Sequence, residues 1–97
     1  MRKVLVSEAN PKTASKLREL RNEGFKIVFR KGIVEKVDLA KYRDFEILSV
    51  FVFSKVDRRV IESLPNLRLI VTRSSGFDHI DIQAASERGI VVSNVPG

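Results

Sequence analysis

A chain of 97 residues and 11.0 kDa, 43% hydrophobic and 31% charged, is sized for one small domain and too apolar to stay disordered. With no cysteine and one histidine it has no disulfide framework, no thiolate metal site, no thiol nucleophile and no histidine cluster. No stretch approaches the roughly 18 consecutive apolar residues of a membrane span, and Val4-Leu5-Val6 is too short for a signal peptide, so a soluble cytoplasmic protein without a membrane partner is expected.

Lys3-Val4-Leu5-Val6 reads as a first strand ending at Ser7. Asn10-Pro11 then supplies an N-cap and a proline for the first helical turn. Ala14, Leu17 and Leu20 continue at helical spacing, and Gly24 suits the left-handed C-cap. Phe25-Lys26-Ile27-Val28-Phe29, β-branched and aromatic, is the second strand. Arg30 to Val37 reads as a loop, after which Asp38 is placed to cap a short helix through Leu39, Ala40 and Tyr42.

Glu46 to Phe53 is almost continuously apolar, the pattern of a central strand covered on both faces. Asp57 follows as an N-cap, Val60, Ile61 and Leu64 form a stripe, and Pro65-Asn66 stops the helix. Leu67 to Thr72 is the fourth strand, a helix starts near Asp78 or Asp81, Gly89 closes it, and Ile90 to Ser93 is the fifth strand. Strands alternating with crossover-length helical segments predict an α/β fold of the flavodoxin-like kind. It is a three-layer sandwich with a five-stranded parallel sheet of order 2-1-3-4-5 and helices on both faces, in a single domain spanning residues 1–97.

The net charge of +6 raises nucleic acid as a partner, but its distribution argues against one. Basic pairs such as Arg2-Lys3, Arg30-Lys31 and Arg58-Arg59 are scattered, acids intervene, and no aromatic residues alternate with them as stacking platforms. A solvated basic face is the expectation. Few Asn and Gln beside many Lys, Arg and Glu are the composition of a thermophile.

Open α/β sheets bind ligands beyond the carboxyl ends of their strands. The turn after strand one, Ser7 to Thr13, has no glycine, so a phosphate-cradling loop and a dinucleotide fingerprint are both missing there. A phosphoacceptor site is missing too, since Ser7-Glu8 and Phe53-Ser54 stand where an acidic pair and an aspartate are needed. Ser74-Ser75-Gly76, between a strand and a helix amino end, can aim successive N–H groups at an anion such as a carboxylate, with glycine admitting close approach or positive φ. An ordinary strand-to-helix turn would use the same residues.

Two stretches carry a closer signal. Leu67-Arg68-Leu69-Ile70-Val71-Thr72-Arg73-Ser74-Ser75-Gly76-Phe77-Asp78-His79-Ile80-Asp81, followed by Glu87 to Gly97, contains the pattern R-S-x-G-x-D-x-I-D and then N-x-P. It resembles the amino-terminal part of the substrate-binding domain in the D-isomer-specific 2-hydroxyacid dehydrogenases. Ser49-Val50-Phe51-Val52-Phe53 is similar to the third strand of the D-lactate dehydrogenase branch. The resemblance implies that amides at Ser75 and Gly76 hold the substrate carboxylate. It also implies that Phe53 faces the substrate, against the alternative of a core aromatic. The catalytic arginine, glutamate and histidine of the family, and its Rossmann NAD-binding domain, lie beyond the matched segment.

His79, in a variable position of the motif, is accordingly expected to be structural or solvent-exposed, Arg73 to make a local ion pair or carbonyl contact, and Asp78 and Asp81 to serve as caps or first-turn dipole partners. The functional expectation is a truncated, by itself inactive, substrate-binding portion of an NAD-dependent oxidoreductase. It holds a 2-hydroxy or 2-oxo acid carboxylate, with no cofactor bound by this chain and NAD implied for the complete enzyme. The alternative is a free-standing interaction module, self-associating through surface that a missing remainder would cover.

Overall fold

The computed structural model describes residues 2–12 and 24–94. Five strands, β1 (Arg2–Val6), β2 (Phe25–Phe29), β3 (Ile47–Val50), β4 (Leu69–Thr72) and β5 (Val91–Asn94), form one sheet of order β2-β1-β3-β4-β5. Every pairing is parallel, with Val4 opposite both Ile27 and Ile47, Ile47 opposite Leu69, and Leu69 opposite Val91. This is the expected topology. Of the predicted first helix, Pro11 and Lys12 are helical, residues 13–23 lie outside the described residues, and Gly24 enters β2 at φ +92°.

β1 is buried on both faces because its apolar residues are consecutive. Leu5 joins the main core with Leu48, Val50, Ile61 and Ile70, while Val4 and Val6 join Ile27 and Ala9 in a smaller cluster. Two α-helices, α1 (Arg58–Ser63) and α2 (Ile82–Glu87), pack Val60, Ile61, Ala84 and Ala85 into the main core. Both are capped as their sequences require, the Asp57 carboxylate accepting from Val60 N at 3.0 Å and Asp81 from Ala84 N at 2.9 Å. Gly89 closes α2 at φ +68°, a left-handed backbone that favours glycine. Arg58 of α1 bonds Glu87 of α2 at 2.8 Å, and Arg88 donates to the carbonyls of Ile61 and Pro65 at the end of α1.

Several boundaries differ from expectation. The segment 30–37 is not wholly loop, since Val34–Lys36 forms a 3-10 turn with Val34 fully buried. The element after Asp38 is a 3-10 helix, Leu39–Tyr42, and Asp38 makes no side-chain cap; Leu39 and Tyr42, three apart, both face inward on its tighter pitch. β4 starts at Leu69, not Leu67, whose N–H instead bonds the Leu64 carbonyl. β5 runs from Val91, the N–H of Ile90 being taken by Ala85 at the end of α2. The largest difference is in β3, which ends at Val50; residues 51–53 leave the ladder as an exposed turn.

Candidate functional site

The carboxyl ends of β1, β3 and β4 are tied into one structure by buried polar contacts. Ser7, fully buried, continues from β1 with its N–H on the Ser49 carbonyl at 2.9 Å and its Oγ 3.1 Å from Ser54 Oγ. Ser54 Oγ in turn accepts from Val34 N at 3.0 Å. Glu8 then adopts φ +53°, the sole left-handed non-glycine among the described residues. Its carboxylate accepts N–H groups from Phe51 at 2.9 Å, Phe53 at 3.1 Å and Ser54 at 3.0 Å. Two of those donors, Phe51 and Phe53, lie in the apolar run expected to continue the strand, and their amides go to a side chain.

Beyond β4, Arg73 continues the ladder with its N–H on the Val50 carbonyl at 2.8 Å. Its half-buried guanidinium reaches back through Nη2 to the Ser7 carbonyl. Burial pushes the Arg73 guanidinium below its ordinary pKa, with the charge of Glu8 opposing that shift. Thr72 Oγ1, buried, lies 2.7 Å from both Ser74 Oγ and His79 Nε2. The partly exposed His79 is thereby tied to the loop scaffold, its carbonyl also accepting from Val56 N at 2.8 Å. Asp81 is the helix cap, whereas Asp78 is exposed and caps neither helix.

The bend at Ser75 and Gly76 is exposed. Its two carbonyls are tied down, Ser75 O by Asn94 Nδ2 at 3.4 Å and Gly76 O by Ser74 Oγ at 3.0 Å. Its two N–H groups meet no acceptor among the described residues. A Cβ built on Gly76 would have nothing within 4 Å, and φ there is not left-handed, so the glycine answers to open space and not to a conformational demand. α2 begins at Ile82, six residues after Gly76, and Ala84 N at its amino end is taken by the Asp81 carboxylate. Phe53 is 72% exposed, which removes the core reading, and stands edge-to-face with Phe51 at 6.2 Å.

A concavity of about 530 Å³ opens at the opposite, amino end of the strands, lined by Glu46, Pro65, Arg68 and Arg88 among others. Size alone does not decide in its favour, since parallel sheets place ligands beyond the carboxyl ends. The turn after β1 does not suit a dinucleotide pyrophosphate, because a carboxylate stands where glycine N–H groups would be needed. Among the described residues no group of His, Asp and Glu side chains is placed to hold a metal ion, and no helix is long and apolar enough to cross a membrane.

A family model described as D-isomer specific 2-hydroxyacid dehydrogenase, catalytic domain, matches residues 4–97. The chain belongs to this family. Among its curated 2-hydroxyacid dehydrogenase relatives, D-3-phosphoglycerate dehydrogenase of Archaeoglobus fulgidus is 36% identical over 95 residues, 98% of this chain and 18% of the relative. Glyoxylate reductase of Thermofilum pendens is 46% identical over 59 residues, 61% of this chain and 17% of the relative. Among solved structures, D-lactate dehydrogenase of Aquifex aeolicus, complexed with NAD and lactic acid, superposes with a TM-score of 0.86 at 31% identity, covering 97% of this chain and 28% of that one. The chain thus spans less than a third of the length of these relatives.

Sequence reasoning missed Glu8, which it met only as a failed acidic pair, and Ser54. The partners of Glu8 lie 43 to 46 positions away, and no local pattern marks them. Asn94 belongs to the N-x-P motif, but no feature of that motif announces its contact with Ser75 O.

Proposed function

We propose that the chain is the amino-terminal, substrate-binding portion of an NAD-dependent D-2-hydroxyacid dehydrogenase, and that the Ser75–Gly76 bend grips the carboxylate of a small 2-hydroxy or 2-oxo acid. The observation that carries this reading is the pairing of two anchored carbonyls with two unoccupied amides on an exposed bend. Main-chain N–H groups fixed in advance bind a carboxylate with little ordering cost, and a charged acceptor roughly doubles the strength of each bond. Arg73, Thr72, Ser74 and His79 act behind the bend, with Arg73 tying it to the end of β1 and Asn94 tying it to β5, without touching the acid. Phe53, projecting from the adjacent strand end, supplies an apolar wall for the substrate's carbon chain. NAD enters as the hydride partner of the complete enzyme, held by a Rossmann domain that these residues do not supply.

By itself the chain is proposed to bind and not to turn over, because His79 is engaged by Thr72 and no other imidazole exists to act as a general base. Titration of the purified chain with pyruvate or glyoxylate should shift the Ser75 and Gly76 amide resonances saturably, with no NADH consumption. Unmoved amides at high ligand concentration would refute the site, and sustained NADH-dependent reduction would refute the inactivity. A second reading, self-association, has one specific observation behind it, the exposed apolar turn of Phe51, Val52 and Phe53.

A further inference from the structure

The proposed function leaves Glu8 without a role, yet no other described side chain gathers as many main-chain donors. Its Oε2 accepts from Phe51 N and Ser54 N, and its Oε1 accepts from Phe53 N. Three convergent amides are the donor set with which a backbone nest binds an anion, and here the anion is part of the same chain. The root of the side chain is fixed as firmly as its tip. Glu8 N donates to Gly32 O and Ala9 N to Arg30 O, both at 2.8 Å, while Ser7 O receives the Arg73 guanidinium. The left-handed backbone at Glu8 turns the carboxylate toward the β3 loop, a conformation that a non-glycine residue holds only when its surroundings demand it.

Phe51, Val52 and Phe53 have no core packing to set their conformation, being 39%, 42% and 72% exposed. An exposed apolar turn would ordinarily collapse onto the surface or remain in the strand that its sequence favours. The bonds to Glu8 take the Phe51 and Phe53 amides that a longer strand would need, while Ser54 N is shared between Glu8 and the Phe51 carbonyl, 3.2 Å away across the turn.

We infer that Glu8 is a positioning residue whose carboxylate acts as an internal ligand of the 51–54 turn, ending β3 at Val50 and holding Phe53 outward. That this turn faces substrate rests on the proposed function; the internal-ligand role does not. An internal carboxylate that has been removed can be replaced by an external one, and a merely structural side chain cannot be restored in this way.

The test is amide NMR on the chain and its Glu8→Ala variant, titrated with sodium acetate and, at matched ionic strength, sodium chloride. In Glu8→Ala the Phe51 and Phe53 amide protons should move upfield on losing a charged acceptor, Ser54 less so because the Phe51 carbonyl remains, and acetate but not chloride should return them downfield along a saturating curve. The same amides of the unsubstituted chain should not respond. Unchanged resonances in the variant, or equal effects of acetate and chloride, would overturn the inference. If Glu8→Ala does not fold, the isosteric Glu8→Gln decides instead, because its amide offers one acceptor oxygen for three donors. At least one of the three resonances should lose its downfield position, and retention of all three would overturn the inference. Ser75 and Gly76, read separately with pyruvate, report on the proposed function, so either claim can fail alone.

Discussion

The Arg73 guanidinium donates to the carbonyl of Ser7, a bond that fastens the loop after β4 to the turn after β1 across the intervening strand β3. The acceptor sits on a fully buried residue, and the donor is half-buried. Arg73→Met keeps much of the apolar stem while deleting the donor, leaving a buried carbonyl unsatisfied. The expected loss is about 1–3 kcal/mol of unfolding free energy, measured by urea denaturation. Arg73→Lys should recover only part of it, since an ammonium cannot reproduce the planar fork of the guanidinium. Equal stability of wild type and Arg73→Met would show that the bond contributes nothing.

Gly76 and Gly89 provide a matched contrast. Gly76 has open space around the position of a Cβ and no left-handed φ, whereas Gly89 sits at φ +68°. Gly76→Ala should leave stability unchanged or raise it by up to about 1 kcal/mol, because the unfolded chain loses freedom. It should nonetheless weaken the response of the bend to a 2-oxo acid, since the methyl occupies the approach to the amides. Gly89→Ala should cost about 1 kcal/mol and leave that response alone. Thermal unfolding and amide titration of both variants check the contrast, and a destabilised Gly76→Ala would assign that glycine to folding.

The topology and the helix caps were legible in the sequence because each rests on local signals. Asp57 and Asp81 precede their apolar stripes by the spacing that a cap bond needs, and both bonds form. The strand order followed from alternating elements that need crossovers. The end of β3 was not legible, because an apolar run shows where a strand could continue and not where its amides find another acceptor. That acceptor is Glu8, 43 residues upstream of Phe51. Asp38 misled for a related reason, since it shares ψ 88° with the capping Asp81 yet precedes a 3-10 helix and makes no cap bond, so residue type and local backbone together do not decide the cap. At the bend the residue types pointed to an anion, but the anchoring of Ser75 O by Asn94 is a tertiary contact between strand ends that no spacing could announce.

The Arg58–Glu87 pair between α1 and α2 predicts a pH dependence with a definite sign. The Arg58 guanidinium, through its hydrogen bond and its charge, holds the Glu87 carboxyl below its ordinary value of 4.5. A carboxyl depressed in the folded state contributes stability that is fully present above the unfolded value and is lost as pH falls through the folded one. Glu87→Gln should therefore lower Tm slightly at pH 7, and the difference from wild type should narrow as pH falls below the ordinary value of 4.5 toward the depressed one. Both side chains are about half exposed, so the difference at pH 7 should also shrink in 1 M salt. A gap that does not narrow at all as pH falls below 4.5 would mean that Glu87 acts through packing.

Phe53 separates a binding role from a stabilising one. At 72% exposure, with Phe51 its one ring partner among the described residues, it has little buried area to lose, so Phe53→Ala should change stability by less than about 1 kcal/mol. The ring still matters if it serves as an apolar wall beside the acid-holding bend. In Phe53→Ala the Ser75 and Gly76 amides should keep their response to glyoxylate, which has no side chain to pack. Their response to a 2-oxo acid with a branched apolar side chain should weaken several-fold, as expected when an apolar contact worth about 1–2 kcal/mol is removed. Sedimentation of the same variant addresses self-association, since a concentration-dependent dimer of the wild-type chain that disappears in Phe53→Ala would assign the ring to contact between chains. Equal weakening for both acids would instead place Phe53 in the support of the bend itself, because a wall distinguishes ligands by the carbon they carry and a support does not.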